Sequence, residues 1–434
     1  MAFNPQPAAN TNTALTPLPN GERHFGWKDH AALWLSLGVG LLVMQIGAYL
    51  VPALGTQAAI AVIVCGSILG SGLLAWTAKI GCDSGLSSAG LMHATYGSNF
   101  ARLPVLLNIV QLIGWTTFEL VVMRDGTMAI ARQSGSFAAN FWPVLATFLW
   151  GGVLLALLSG SMITLVRKFI GRYGLPLVIA SLLWLTWQFL SKANAQGMGA
   201  LWNRAGDGSM STLSALDLVM AMPVSWLPLV ADFARHGHNG NSALRGTWLG
   251  YAVANIWCYA LGLLVVMTTP STDLVAALLL AQGGLIALGL ILIDEVDNAY
   301  GDLYSGSVAG HSLLPRWNIR HWGMALAVLC TLLALVLPIH NLEPFLLMLS
   351  SVFVPLYGVI LARLAGQENV AALATGRKVN TSAVAIWLFG IACYHLCAQL
   401  APGWGATLPT LALTFLLARF SRKSAAKLEI RPAT

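Results

Sequence analysis

Residues 103–123 read LPVLLNIVQLIGWTTFELVVM, a run of 21 residues whose single charged side chain is Glu119. As an α-helix this run rises about 1.5 Å per residue, so its length matches the roughly 30 Å of hydrocarbon in a bilayer. Similar apolar runs recur from residue 29 almost to the end of the chain. The predicted transmembrane helices cover residues 30–53, 57–78, 103–128, 140–160, 169–191, 213–234, 246–269, 284–307, 322–339, 343–363, 382–399 and 404–420.

The composition agrees with a membrane location. Of the 434 residues, 57% are hydrophobic and only 9% are charged, whereas a soluble domain carries about 25% charged residues. A transmembrane β-barrel would show short segments of alternating polarity, and we do not see that pattern. The sequence therefore predicts an all-α integral membrane protein with about twelve transmembrane helices.

The basic residues are sorted between the two sides of the predicted membrane. With the N-terminus placed in the cytoplasm, 19 of the 23 Lys and Arg residues fall in cytoplasmic segments, as the positive-inside rule requires. This sorting explains the net charge of +7 without a nucleic-acid partner. We expect a protein of the cell (inner) membrane with both termini in the cytoplasm. Its predicted parts are a disordered cytoplasmic tail (1–28), one transporter domain (29–421) and a basic cytoplasmic tail (422–434).

Two of the predicted helices contain residues that interrupt helices. The first contains Gly38 and Gly40, and the sixth contains Pro223 and Pro228 on either side of Trp226. Proline removes a backbone hydrogen bond and glycine loosens a helix. Broken backbone at membrane depth is tolerated where it faces protein or a wet cavity, and a matched pair of interrupted helices indicates a transporter's binding site. The alternative is that the glycines only permit close helix packing.

The third predicted helix carries a candidate substrate site. Trp115 and Glu119 are four residues apart, so they share one helix face. Together they offer a ring for stacking and a carboxylate that accepts hydrogen bonds from N–H groups. The alternative is that Trp115 is packing and that a neighbouring helix satisfies Glu119. Gln45 in the first helix is a further candidate amide contact.

The eighth predicted helix carries an unusual number of acidic side chains. Asp294, Glu295, Asn298 and Asp302 fall within about one quadrant of a helical wheel, and Asp297 lies among them. Such a stripe can ligate a hard cation through oxygen or relay protons. The alternative is that this end of the helix reaches the cytoplasmic interface, where the acids are solvated.

We find no sequence motif that indicates nucleotide binding, catalysis or metal binding. There is no Walker-type nucleotide-binding motif, and no nucleophile–base spacing stands out. Cys393 and Cys397 flank His395, but residues two apart on a helix do not share a face. We therefore expect no metal, no cofactor and no enzyme activity.

Four stretches occur in the same order and spacing as in a known family. They are Gly85-Leu-Ser-Ser with Tyr96-Gly97, Gln111-Leu-Ile-Gly-Trp115, Trp226-Leu-Pro-Leu-Val-Ala-Asp232-Phe-Ala-Arg235, and Asp297-Asn298-Ala with Leu303-Tyr304-Ser305. Over roughly residues 25–420 the chain resembles the nucleobase:cation symporter-1 family. That family includes permeases for cytosine, hydantoin, allantoin and hydroxymethylpyrimidine.

The resemblance implies a fold and a site. The fold would be the LeuT-like inverted repeat of five plus five helices, followed by two C-terminal helices. A tryptophan of the third helix stacks on the substrate in this family, which matches Trp115, and a side chain one turn later contacts the ring, which matches Glu119. Trp226 stands about a turn away from the family's second aromatic. Asp297 stands where the family often has a hydroxyl ligand for its cation, which leaves Na⁺ and H⁺ both open.

Within this family, the sequence most resembles the branch associated with hydroxymethylpyrimidine. An acidic Glu119 suits a ring that bears an amino group, as hydroxymethylpyrimidine and cytosine do. We expect a symporter that imports one of these pyrimidines with a cation. The alternatives are a purine, allantoin or hydantoin permease and, from another class, a membrane-embedded enzyme. The protein is expected to be a monomer whose partners are the small substrate and the lipid bilayer. The predicted substrate contacts are Gln45, Trp115, Glu119, Trp226, Asn298 and Asp302, and the predicted cation-coupling residues are Asp294 and Asp297.

Overall fold

The computed structural model describes residues 13–133, 141–158, 174–270, 273–337 and 342–429. In these ranges the regular structure is helical, apart from one isolated β-bridge between Phe25 and Gly237. In chain order the α-helices are α1 (Trp27–Ser36), α2 (Leu41–Tyr49), α3 (Thr56–Ser84), α4 (Ser88–Tyr96), α5 (Arg102–Gln133), α6 (Phe141–Leu157), α7 (Leu175–Gln196), α8 (Met198–Trp202), α9 (Thr212–Ser225), α10 (Leu227–Ala234), α11 (Gly240–Thr268), α12 (Leu274–Leu279), α13 (Gly284–Leu313), α14 (Ile319–Val336), α15 (Leu342–Leu364), α16 (Val370–Gly376), α17 (Thr381–Leu400) and α18 (Thr407–Glu429).

Many of these helices can cross a membrane. Within the described residues, eight spans are long and apolar enough, and a ninth is added when α1 and α2 count as one bent span. Three of the twelve predicted spans correspond to α6, α13 and α18, which do not meet this test. α6 has only 17 residues, and α13 carries a cluster of acids. The all-helical membrane class is therefore supported, and the count of twelve stays a prediction.

The first predicted span is broken, as its glycines indicate. α1 ends at Ser36 and α2 begins at Leu41, and the two helices are bent by 64°. At Gly38 a Cβ atom would lie 2.7 Å from the Cβ of Ala254 on α11. The small residue is thus needed for close packing as well as for the break, so both readings of the glycines apply.

The sixth predicted span is also divided, and α9 and α10 meet at Trp226. Pro228 has no N–H to continue the helical ladder across this point. Two side-chain amides of α5 donate to carbonyls at the junction. The Asn108 amide donates to the carbonyl of Pro228 over 2.9 Å, and the Gln111 amide donates to that of Ser225 over 3.3 Å. These contacts attach the interrupted helix to the helix that carries Trp115 and Glu119.

Two helices, α13 and α11, hold the elements of the site together. α13 packs extensively against α5, and α11 packs against α1, α2 and α3. The backbones of α2 and α11 are in direct contact, because a Cβ at Gly47 would lie 2.1 Å from the carbonyl oxygen of Tyr259. A Cβ at Gly262 would lie 1.9 Å from that of Met44. Small residues thus hold the second half of the broken span in place.

The segment before α1 packs on the protein. Phe25 is fully buried, its N–H donates to the carbonyl of His236, and its own carbonyl accepts from the N–H of His238. The Arg23 guanidinium donates to the carbonyl of Cys82 over 3.1 Å. Burial lowers the pKa of the His236 imidazole to about 3, so this ring is neutral at physiological pH.

The predicted tail boundaries change accordingly. The predicted disordered tail covered residues 1–28, but residues 13–28 are ordered by these contacts and by the start of α1. Residues 1–12 lie outside the described part. At the other end, α18 continues to Glu429, past the predicted domain boundary at residue 421. A single helix therefore joins the predicted domain to the predicted C-terminal tail.

Candidate functional site

A small cavity lies between the two helix breaks. Its volume is about 20 Å³, enough for about one water molecule. The break between α1 and α2, together with α2, α5, α9, the α9–α10 junction and α13, forms its wall. The lining residues are Leu37, Gly40, Leu42, Val43, Trp115, Glu119, Met222, Trp226, Glu295 and Asn298.

Two tryptophans form part of this wall. Trp115 packs edge to face on Phe345 with ring centres 5.1 Å apart, and Trp226 packs edge to face on Trp34 at 5.8 Å. Such contacts hold each ring in a defined orientation. The resemblance placed Trp226 about a turn from the family's second aromatic, and the tertiary structure brings it to the same cavity as Trp115.

Two carboxyl groups face the cavity with different surroundings. Glu295 accepts the N–H of Leu41, the first residue of α2, over 2.5 Å, and the side-chain amide of Asn298 over 3.3 Å. Glu119 is 4% exposed, and its Oε2 atom is buried with no hydrogen-bond partner among the described residues. Buried polar atoms nearly always have a partner. Glu119 and Asn298, whose Oδ1 atom also lacks a partner among the described residues, are therefore the acceptors in this cavity that are open to a ligand's donor.

Glu295 is the site residue to which the sequence analysis gave no specific role. It lies three residues before Asn298 and hence on the same helix face, which is the signal that points to it. Its approach depends on Gly40, where a Cβ would lie 3.0 Å from Glu295 Oε1. The Asn298 amide also donates to the carbonyl of Val39 over 3.1 Å. Glu295 and Asn298 thus bind the free backbone groups of the first break.

Asp294 and Asp297 lie beside the end of α1, outside the cavity lining. Asp294 accepts the hydroxyl of Ser36, the last residue of α1, over 3.1 Å. The two carboxyl groups are 3% and 6% exposed, and no Lys or Arg of the described residues forms a salt bridge with them. The C-terminus of a helix carries partial negative charge. Two buried carboxyl groups without a basic partner among the described residues thus lie together at the negative end of a helix.

The two remaining candidates lie elsewhere. Gln45 donates to the hydroxyl of Tyr49 over 2.6 Å and lines a second, larger cavity of about 850 Å³ on the predicted outer side. Asp302 is 2% exposed and does not line the central cavity. The acids of α13 are thus buried, which contradicts the alternative of solvated acids at a cytoplasmic interface.

The larger cavity gives a short route to the central one. Leu42 lines both, so the two are separated by little more than the first turn of α2. On the opposite side, Phe233 and Tyr304 pack together at 5.6 Å, and the segment around Phe25 covers the loop after α10. Leu42 thus lies between the two cavities on the predicted outer side, and the Phe233–Tyr304 pair lies on the predicted cytoplasmic side.

The family model for permeases of cytosine/purines, uracil, thiamine and allantoin matches residues 17–419. The chain belongs to this family. The resemblance to the nucleobase:cation symporters is thereby confirmed at the level of the family. Its members and the structural neighbours below are transporters, which argues against a membrane-embedded enzyme.

Individual relatives of this permease are distant. A putative purine-cytosine permease of Bacillus subtilis, YxlA, is 23% identical over 58% of the chain, and the match spans about half (53%) of that protein. The purine-uracil permease NCS1 of Arabidopsis thaliana is 30% identical over 25% of the chain and 18% of its own length.

Solved structures show the fold. Mhp1, a nucleobase-cation-symport-1 family transporter, in a closed conformation with bromovinylhydantoin bound, superimposes with a TM-score of 0.80 at 16% identity, covering 96% of each chain. MhsT in complex with L-phenylalanine gives a TM-score of 0.60 at 14% identity, covering 90% of this chain and 98% of its own. The permease therefore has the fold of LeuT-like transporters, and the five-plus-five repeat stays a prediction.

Proposed function

We propose that this permease is a secondary active transporter that imports an aminopyrimidine, cytosine or hydroxymethylpyrimidine, together with Na⁺ or H⁺. One observation carries the proposal. The unpartnered acceptor of Glu119 lies in a cavity between two helix breaks, beside Trp115 and Trp226.

The chemistry of the cavity favours a flat ring with N–H donors. An indole ring attracts a flat heteroaromatic ring by stacking. The free Glu119 oxygen accepts from an exocyclic amino group or a ring N–H. A carbonyl at the same place would leave two acceptors facing each other, which costs free energy in a buried site. An aminopyrimidine makes this contact through its exocyclic amino group, whereas uracil has only its ring N–H groups to offer, each beside a carbonyl. Amino-bearing purines satisfy the same contact, which keeps the purine permease as the alternative.

The proposed cation site lies beside Asp294, Asp297 and the hydroxyl of Ser36. A cation there would join the end of α1 to α13. Gly40, in the break that follows α1, and Glu295, on α13, both line the substrate cavity. Both ligands would then stabilise the same arrangement of the first break, so each would raise the affinity for the other. A bound Na⁺ or a proton would also neutralise carboxyl groups that have no basic partner.

Substrate entry requires a larger cavity than the central one. Leu42 separates the central cavity from the outer one, so movement of α2 would open the site to the predicted outer side. Release on the predicted cytoplasmic side would require separation of Phe233 from Tyr304. This order of movements is an alternating-access cycle around a fixed site.

Uptake into proteoliposomes tests the proposal. The labelled panel contains cytosine, hydroxymethylpyrimidine, adenine, uracil, allantoin and hydantoin, each with a Na⁺ gradient, a pH gradient or no gradient. We expect accumulation of an aminopyrimidine under one of the two gradients, and none by the Trp115→Ala/Glu119→Gln double variant. Accumulation of only uracil, allantoin or hydantoin would contradict the proposed substrate class. Uptake that is the same with and without each gradient would contradict symport.

A further inference from the structure

A third cavity, far from the substrate site, is lined by three arginines. It lies on the predicted cytoplasmic side, where α4, α16 and the ends of α15 and α18 meet, and its volume is about 400 Å³. The arginines are Arg363 at the end of α15, Arg377 after α16 and Arg422 in α18. None of the described residues that line it is acidic.

Two of the three guanidinium groups are bound to neutral groups. Arg363 donates to the hydroxyl of Ser382 over 2.7 Å and to that of Ser421 over 3.0 Å. Its Nε atom is buried with no hydrogen-bond partner among the described residues. Arg422 donates to the backbone carbonyl of Arg363 over 2.9 Å. These contacts orient the two side chains, and neither forms a salt bridge with an acid among the described residues.

We propose that this three-arginine cavity binds a phosphate group. Three like charges around one cavity repel each other, and a multiply charged anion there replaces repulsion with attraction. The guanidinium fork matches the geometry of phosphate oxygens and binds them in pairs. Two sources offer this chemistry at a membrane surface: the headgroup of an anionic phospholipid, and a soluble phosphate or phosphate ester.

The place of the cavity links it to the transport helices. The carbonyl of Arg377 accepts the N–H of Ser98, and the Asn380 side chain donates to the backbone at the end of α4. At its other end, the N–H of Ser88 in α4 donates to Asp232 on α10 over 3.0 Å. α4 thus connects the three-arginine cavity to the helix that follows Trp226. The site is nonetheless separate from the substrate cavity, so its binding test does not depend on the proposed substrate.

The test is thermal stability of the purified full-length protein. In neutral detergent, inorganic phosphate is titrated against chloride at equal ionic strength. In nanodiscs, phosphatidylcholine is compared with phosphatidylcholine plus phosphatidylglycerol. The variants are Arg377→Gln/Arg422→Gln and, as a loss of one charge on the same predicted side but outside the cavity, Arg320→Gln. Arg377→Gln alone, at an exposed position, serves if the double variant does not fold.

We expect a saturable rise in melting temperature for the wild type with at least one of the two probes. The double variant should need at least tenfold more ligand, and Arg320→Gln should behave like the wild type. A response to inorganic phosphate supports a soluble source, and a response to phosphatidylglycerol alone supports the lipid. No response to either probe overturns the proposal, and so does an equal loss of response in Arg320→Gln.

Discussion

The sharpest test of the site is Glu119→Gln. The substitution keeps the shape of the side chain and replaces the oxygen that has no partner, or its neighbour, with an NH₂ group. A buried donor of the bound ring that is left without an acceptor costs about 1–3 kcal/mol, which corresponds to about a 5- to 150-fold change in affinity. We expect the affinity for the transported aminopyrimidine to fall by this factor.

The fold should tolerate this change. Glu119 Oε2 has no hydrogen-bond partner among the described residues. The Glu119 side chain also contacts the Glu295 carboxyl group, and the NH₂ group of a glutamine can donate to that carboxyl, so the contact is kept. Glu295→Gln is the matched variant with the opposite expectation. Glu295 accepts from Leu41 and Asn298, and an amide can accept on only one of its two terminal atoms. That variant should lose about 1–3 kcal/mol of stability.

Two measurements separate these effects. Equilibrium binding of the labelled aminopyrimidine with the highest wild-type uptake gives the affinity, and thermal melting of the same samples gives the stability. Binding by Glu119→Gln within twofold of the wild type would refute the assignment of Glu119 as the substrate acceptor. Equal melting temperatures for Glu295→Gln and the wild type would refute the anchoring role of Glu295.

Four further outcomes follow from the structure. Trp115→Ala should weaken substrate binding about tenfold to a hundredfold, because a stacking contact is worth about 1–3 kcal/mol; unchanged uptake kinetics at normal expression would contradict this. Asp297→Ala should stop gradient-driven accumulation in proteoliposomes while exchange of substrate for substrate continues, and accumulation by this variant in both Na⁺ and proton gradients would exclude a coupling role. Gly262→Ala should lower the melting temperature by the equivalent of about 1–3 kcal/mol, because its Cβ would meet the backbone of α2, whereas Gly289→Ala, with no atom within 4 Å, should not; equal shifts would be evidence against the close contact. A reporter that is active only in the periplasm, fused after Thr434, should stay silent, and a signal from it would place the C-terminus on the other side.

Part of the candidate site follows from local sequence rules. Trp115 and Glu119 share a face because they are four residues apart on one helix, and a lone acid in an apolar run is costly unless it has a role. The same reasoning could not place Gln45 and Asp302. Both lie on helices of the site, but neither lines the central cavity, because helix spacing alone does not show which face meets which neighbour.

The sequence by itself determined the all-helical membrane class, since repeated apolar runs of about 20 residues are more stable in lipid than in water. It also determined where two of them break, because proline and glycine act on their own backbone. Only the tertiary structure showed that Glu295 accepts the N–H of Leu41, 254 positions away in the chain. The three-arginine cavity likewise joins segments that are distant in sequence. Such contacts depend on how the helices pack, and packing is decided by the fit of many side chains at once, not by the residues near any one of them.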